Sequence, residues 1–188
     1  MKILYSLAAL TICVFVTGCK SLNYKVNSAK DPSVYQEPIG VDKISRIRFV
    51  SNVTGTSIIQ KSDVNMRRKY LVPHTFLGFY NETRDIGMPK ISYRPQDYKN
   101  YYFEVKVKPE PTYIYIYTDN GINGVCTTGF IINPEAGKDY DVNYDPNQNS
   151  KVCVFHFNEI VSESSSGVTI LKPAPFKVYL GKNENYFN

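Results

Sequence analysis

Tryptophan is missing from this 188-residue chain, and histidine occurs only as His74 and His156, far apart in sequence. Two isolated imidazoles give little with which to build a proton-shuttling or nucleophile-activating set. No GxSxG, HExxH, CxxC or phosphate-cradling glycine loop occurs either. Serine-hydrolase, zincin, dithiol and nucleotide-binding chemistry thus lack their residues. The chain reads as non-enzymatic, with no catalytic residue, no cofactor and no metal site. Long hydrophobic runs are scarce too. The longest, ILYSLAALTICVFV at residues 3–16, falls short of the roughly 20 residues a helix needs to cross a bilayer. Charge of one sign is also lacking: 22 Lys and Arg stand against 17 Asp and Glu. So mild an excess permits contact with anionic lipid or glycan without demanding nucleic acid, which is not an expected partner.

What the N-terminus does hold is a short positive start, Met1-Lys2, then the 3–16 run, then Gly18 and Cys19. That is the layout of a secretory signal peptide with a small-residue cut site. Val16-Thr17-Gly18-Cys19 resembles the lipobox of bacterial lipoproteins, with Val replacing the commoner Leu and Thr replacing Ala or Ser. The resemblance implies cleavage after residue 18 and lipidation of Cys19, which makes the membrane a partner through several acyl chains. Each buried CH₂ adds about 0.8 kcal/mol, so such an anchor is effectively permanent. Lys20 stands where an Asp would favour inner-membrane retention, which implies the outer membrane, facing the periplasm. The class also sorts the cysteines. Cys13 leaves with the signal and Cys19 takes lipid, so Cys126 and Cys153 remain as one pair in an oxidising compartment and read as a disulfide. Closing that loop should stabilise by roughly 3–4 kcal/mol.

Residues 20–42 are polar, contain Pro32 and Pro38, and follow no period of 2 or 3.6. With Cys19 they read as a tether, residues 19–42, reaching about 75 Å at full extension. From residue 43 to 188 the chain reads as one domain, and it alternates. RIRFV (46–50), YYFEVKVK (101–108), TYIYIYT (112–118), GFIIN (129–133), DYDVNY (139–144), KVCVFHFNEI (151–160), GVTILK (167–172) and FKVYLG (176–181) have strand character. The expected fold is all-β: an antiparallel β-sandwich of immunoglobulin- or transthyretin-like type with one disulfide. TYIYIYT is expected to pair with YYFEVKVK across Pro109-Glu110-Pro111, and GFIIN with DYDVNY across Pro134–Gly137. SDVNMRRKYL (62–71) is the one helix candidate. SESSSG (162–167) reads as a hairpin tip, and 73–100 as a long irregular insertion of the kind that often carries function.

A second resemblance is to a group of uncharacterised proteobacterial envelope lipoproteins. It rests on the lipobox, IRFVSN, IGMP at 86–89, FxxxPxxGxxYxV across 130–142, and the Cys153-Val154 pair. It implies an envelope location and a β-rich domain, and no chemistry.

Three constellations are candidates for contact. Asp139, Asp141, Asn143 and Asp145 are spaced like the start of a calcium loop. The sixth position lacks Gly and the twelfth lacks Glu, so the set reads mainly as the solvated face of a strand. Arg67, Arg68 and Lys69 form a basic run able to grip phosphate, anionic glycan or an acidic partner. Tyr113, Tyr115 and Tyr117 fall on one side of a strand, and such rows suit both partner contact and ordinary packing. Together these features point to a lipid-anchored, non-enzymatic binding or accessory module for another envelope component, with a protein the expected partner. The alternative is a periplasmic inhibitor or immunity protein against a hydrolase, using a loop that protrudes from 73–100. A third reading, a glycan-binding domain, needs a tyrosine-lined cleft with paired carboxylates.

Overall fold

The computed structural model describes residues 31–40, 42–50, 53–73, 83–92, 102–119, 125–146, 153–163, 165–179, 181 and 186–187. The expected signal, Cys19 and the first part of the expected tether lie outside them. The strands are β1 (Ser45–Val50), β2 (Ser57–Gln60), β3 (Lys69–Tyr70), β4 (Tyr102–Val107) and β5 (Thr112–Asp119), then β6 (Val125–Ile132), β7 (Asp139–Pro146), β8 (Cys153–Ser162), β9 (Thr169–Pro173) and β10 (Lys177–Val178). They form two five-stranded sheets, one in the order β4-β1-β7-β8-β9 and the other β10-β6-β5-β2-β3. The fold is a β-sandwich, as the alternation predicts. Ile47, Phe49, Phe103, Val105, Val107, Tyr140, Val142 and Phe157 of the first sheet meet Ile58, Ile114, Ile116, Phe130 and Ile132 of the second. Phe130 stacks on Phe155 across the layer at 4.6 Å. Removing each such side chain from water stabilises the fold by roughly 1.5–3 kcal/mol.

Pairing departs from expectation at both proline turns. β5 pairs with β6, and β4 with β1. Pro109 and Pro111, lacking N–H groups, end one ladder and carry the chain across to the other sheet. Pro134 and the turn after it do the same, so β6 and β7 also lie in different sheets. β1 and β7 pair in parallel, Arg46 opposite Asp139 through Val50 opposite Asn143; the other ladders are antiparallel. The hairpin tip at 162–167 is where expected, closed by Glu163 N–H donating to the Val168 carbonyl at 2.9 Å.

The helix candidate 62–71 is not a helix, and no helix occurs among the described residues. Asp63 turns the chain locally: its Oδ2 accepts the Gln60 N–H at 2.8 Å, while its own N–H donates to the Gln60 carbonyl at 2.9 Å. Short polar side chains compete in this way with helical hydrogen bonds. Met66 then takes φ 45°, a left-handed conformation costly to a residue with a side chain, and Lys69–Tyr70 joins β2.

Two segments outside the strands cover the sandwich. Residues 32–37, expected within the tether, close one open side. Tyr35 N–H donates to the Tyr70 carbonyl and Tyr70 N–H to the Ser33 carbonyl, both at 2.8 Å. The buried Tyr35 hydroxyl lies 3.0 Å from both Gln60 Oε1 of one sheet and the Lys106 carbonyl of the other, its one proton shared between these two acceptors. Val34 and Tyr35 are apolar enough to reward this docking.

The second cover is the strap at residues 84–92, within the long insertion. It lies flat across the first sheet from edge to edge. Arg84 bridges Phe103 on β4, and Ser92 exchanges hydrogen bonds with Thr169 on β9. Between these ends, Glu104 Oε2 accepts the Ile86 N–H at 2.7 Å and Oε1 accepts Arg48 Nε at 2.9 Å. Arg48 also donates to the Pro89 carbonyl at 2.9 Å, and Met88 and Ile91 pack on Ile160. This part of 73–100 is therefore no protruding loop; residues 74–82 and 93–100, His74 among them, lie outside the described residues.

Candidate functional site

The three tyrosines of β5 share one face, as their spacing predicts, but differ in depth. Tyr113 is 3% exposed, Tyr115 half-buried and Tyr117 38% exposed. Tyr113 pairs with Ile131, and its ring lies flat across β6 over Gly129, two residues along: a Cβ there would stand 2.3 Å from the Tyr113 hydroxyl. Tyr186 stacks on Tyr113 at 4.4 Å, and Tyr179 meets it edge-on at 5.9 Å. Ile59, Met66 and Ile131 complete a second apolar cluster on this outer face. Burial accordingly raises the Tyr113 hydroxyl above its ordinary pKa. Tyr113 is a packing residue, Tyr115 packs in part on the same cluster, and Tyr117 remains open to contact.

Over this face runs the loop that replaces the expected helix. The Arg68 guanidinium sits 3.9 Å above the Tyr115 ring, a cation–π geometry worth about 0.5–1 kcal/mol at an exposed site. Burial disfavours the Arg68 charge; hydrogen bonding to the Tyr186 hydroxyl and the nearby tyrosines outweigh it, and the balance lies above the ordinary arginine value. Lys69 Nζ donates to Asp63 Oδ1 at 2.6 Å. Ser62 Oγ donates to Glu110 Oε1 at 2.6 Å and accepts from Lys108 Nζ at 2.7 Å. The loop is held in place rather than left loose.

Arg67, Arg68 and Lys69, the basic run singled out in sequence, line one groove of about 470 Å³ with Asp63, Val64 and Ser33. Three cations face one carboxylate there, so the groove favours an anion. The tyrosine row meets this groove through Arg68 on Tyr115. Tyr179, Tyr186 and Asp63 belong to the same surface, and sequence reasoning passed over them. Of the three, Asp63 had a local signal, its place before a turn rather than within an amphipathic repeat.

The acidic set behaves differently from expectation. Asp139, Asp141 and Asn143 do share the outer face of β7, but that face is covered rather than solvated. Asp139 takes both arms of Arg46, at 2.6 and 2.5 Å, and Asp141 is fully buried. A carboxylate held bidentately by a guanidinium has its oxygens occupied. The side chain of Asp145 lies outside the described residues, as do those of Cys126 and Cys153. Among the described residues no three His, Cys, Asp or Glu side chains are grouped to hold a metal ion. The tyrosine face carries an arginine where a glycan cleft would need paired carboxylates.

Comparison with known proteins adds no relative to this picture: no family model matches the chain, no curated protein matches it, and no solved structure matches it.

Proposed function

We propose that the chain is a lipid-anchored lipoprotein of a bacterial envelope, acylated at Cys19 and held at the outer membrane facing the periplasm. Its β-sandwich binds another envelope component and performs no chemistry of its own. The observation that carries the binding reading is Arg68 fixed over Tyr115, beside the open Tyr117 and the groove of Arg67 and Lys69. A pre-set arginine on tyrosine is the kind of surface that contributes most at protein interfaces. The Cys126–Cys153 disulfide belongs to the same proposal. With Cys126 on β6 and Cys153 on β8, it would join the two sheets rather than neighbouring strands.

Metabolic labelling with palmitate tests the anchor: the wild-type chain takes label and fractionates with outer membranes, and Cys19→Ala does neither. An unlabelled wild-type chain overturns it. Crosslinking of the lipidated protein in intact envelopes tests the binding role. A specific crosslinked partner that is lost in Arg68→Ala and Tyr117→Ala, both still folded, supports the reading. Recovery of no specific partner overturns it.

A further inference from the structure

The groove lies beside the first described residues of the chain. Its walls are the Ser62–Lys69 loop on one side and Pro32-Ser33 on the other, and the described chain begins at Asp31. Twelve residue steps, through the eleven residues 20–30, separate Asp31 from Cys19. They span at most about 40 Å, and about 20 Å as a coil. An anchor at Cys19 therefore holds this end of the sandwich close to a lipid surface, whatever path those residues take.

The end so held has the chemistry of a membrane contact. Val64 is 96% exposed at the tip of the loop. Lys61, Arg67 and Arg68 are exposed around it, and Lys69 adds a fourth cation. The acidic groups facing them are Asp63, already paired with Lys69, Asp31, whose Oδ1 accepts the Ser33 N–H and hydroxyl, and Glu110, which accepts the Ser62 hydroxyl beside a fifth cation, Lys108. The balance is positive by two. An apolar tip among cations is how a surface element engages anionic headgroups. The loop is also rigid enough to present that tip: Met66 is held at φ 45° while Asp63 and Ser62 are fixed from both sides.

We infer that the Lys61–Lys69 loop is a membrane-contact element: the groove takes lipid phosphates of the bilayer that carries the anchor, and Val64 enters its interface. The inference rests on the anchor proposed above. Tethering raises the local concentration of the surface, so a contact weak by itself becomes populated. The β3 edge faces the bilayer, and Tyr115 and Tyr117, on the face that edge flanks, are presented to components beside it.

The absence of tryptophan supplies the probe. The lipidated chain carrying Val64→Trp is reconstituted into vesicles of phosphatidylcholine alone and of phosphatidylcholine with phosphatidylglycerol. In the mixed vesicles the emission shifts to the blue and bromine-labelled phosphatidylglycerol quenches it; in phosphatidylcholine alone it reports water. Adding Lys61→Gln and Arg67→Gln lowers the docked-to-undocked ratio about 25-fold, at about fivefold for each cation, with the thermal unfolding curve unchanged. Identical water-like emission in both vesicle types overturns the inference. So does loss of the shift on adding inorganic phosphate at constant ionic strength, which would make the groove a small-anion site. A chain that fails to enter either vesicle refutes the anchor instead, so the two failures are distinct.

Discussion

At the scale of single residues, space decides more than identity. Gly129 lets the Tyr113 ring cross the sheet, and an added Cβ would meet the Tyr113 hydroxyl at 2.3 Å and the Tyr179 carbonyl at 2.7 Å. Gly129→Ala should destabilise by about 1–3 kcal/mol, lowering Tm by about 2–4 °C for each kcal/mol. Thermal unfolding followed by circular dichroism checks this, and an unchanged Tm would rule out the flat Tyr113. Arg48 and Glu104 are a second case. They are 4% and 0% exposed and paired at 2.8 Å, so Glu104→Ala should cost about 3–5 kcal/mol by leaving a guanidinium buried alone. Denaturant titration reads it; a cost below 1 kcal/mol would mean that the pair is solvated. The alternation in RIRFV and YYFEVKVK does place these two side chains on the same side of their strands. What it does not reveal is the strap above them, because a charge turned away from the core has no period that separates water from a covering segment.

At the scale of elements, the strap should respond to acid. The Lys90 ammonium, then the Gly87 N–H and the Tyr102 hydroxyl, hold the Asp85 carboxyl well below its ordinary 3.8, with burial opposing weakly. A carboxyl depressed in the folded state contributes stability that is complete above its unfolded pKa and is lost as pH falls through the folded one. The strap is thus fully fastened above about pH 4 and loosens below it. Amide exchange at Gly87 should therefore accelerate below that pH beyond its intrinsic trend, and in Asp85→Asn the excess should vanish. An excess that persists in Asp85→Asn would place the titration elsewhere. Strand positions were legible for most elements because one face of each is apolar. Their partners were not. A short proline connection looks the same whether it turns within a sheet or crosses between sheets, and the Asn120-Gly121 pair between β5 and β6 was the stronger hairpin signal. The helix expected at 62–71 failed because Asp63 offers the backbone a turn that the hydrophobic pattern does not encode.

At the scale of the molecule, each sheet is covered on its outer face, the first by the strap and the second by the aromatic layer of Tyr113, Tyr179 and Tyr186. The proposed disulfide would add a covalent tie between the sheets. Cys126→Ser and Cys153→Ser should each cost about 3–4 kcal/mol and abolish sensitivity of the unfolding midpoint to reductant; two free thiols in protein taken from the periplasm would dismiss the bond. The basic run and the tyrosine row were visible in sequence as separate features. Their meeting was not, since it depends on β3 pairing with β2 beside β5. The docking of residues 32–37 has a mechanical side as well. Tension arriving from the N-terminal side of Asp31 reaches the Ser33 and Tyr35 bonds to Tyr70 before any core strand. Behind them the Tyr35 hydroxyl spreads the pull over both sheets, through Gln60 and Lys106. Under such a pull these few residues would peel first, a small yielding segment that spares the sandwich.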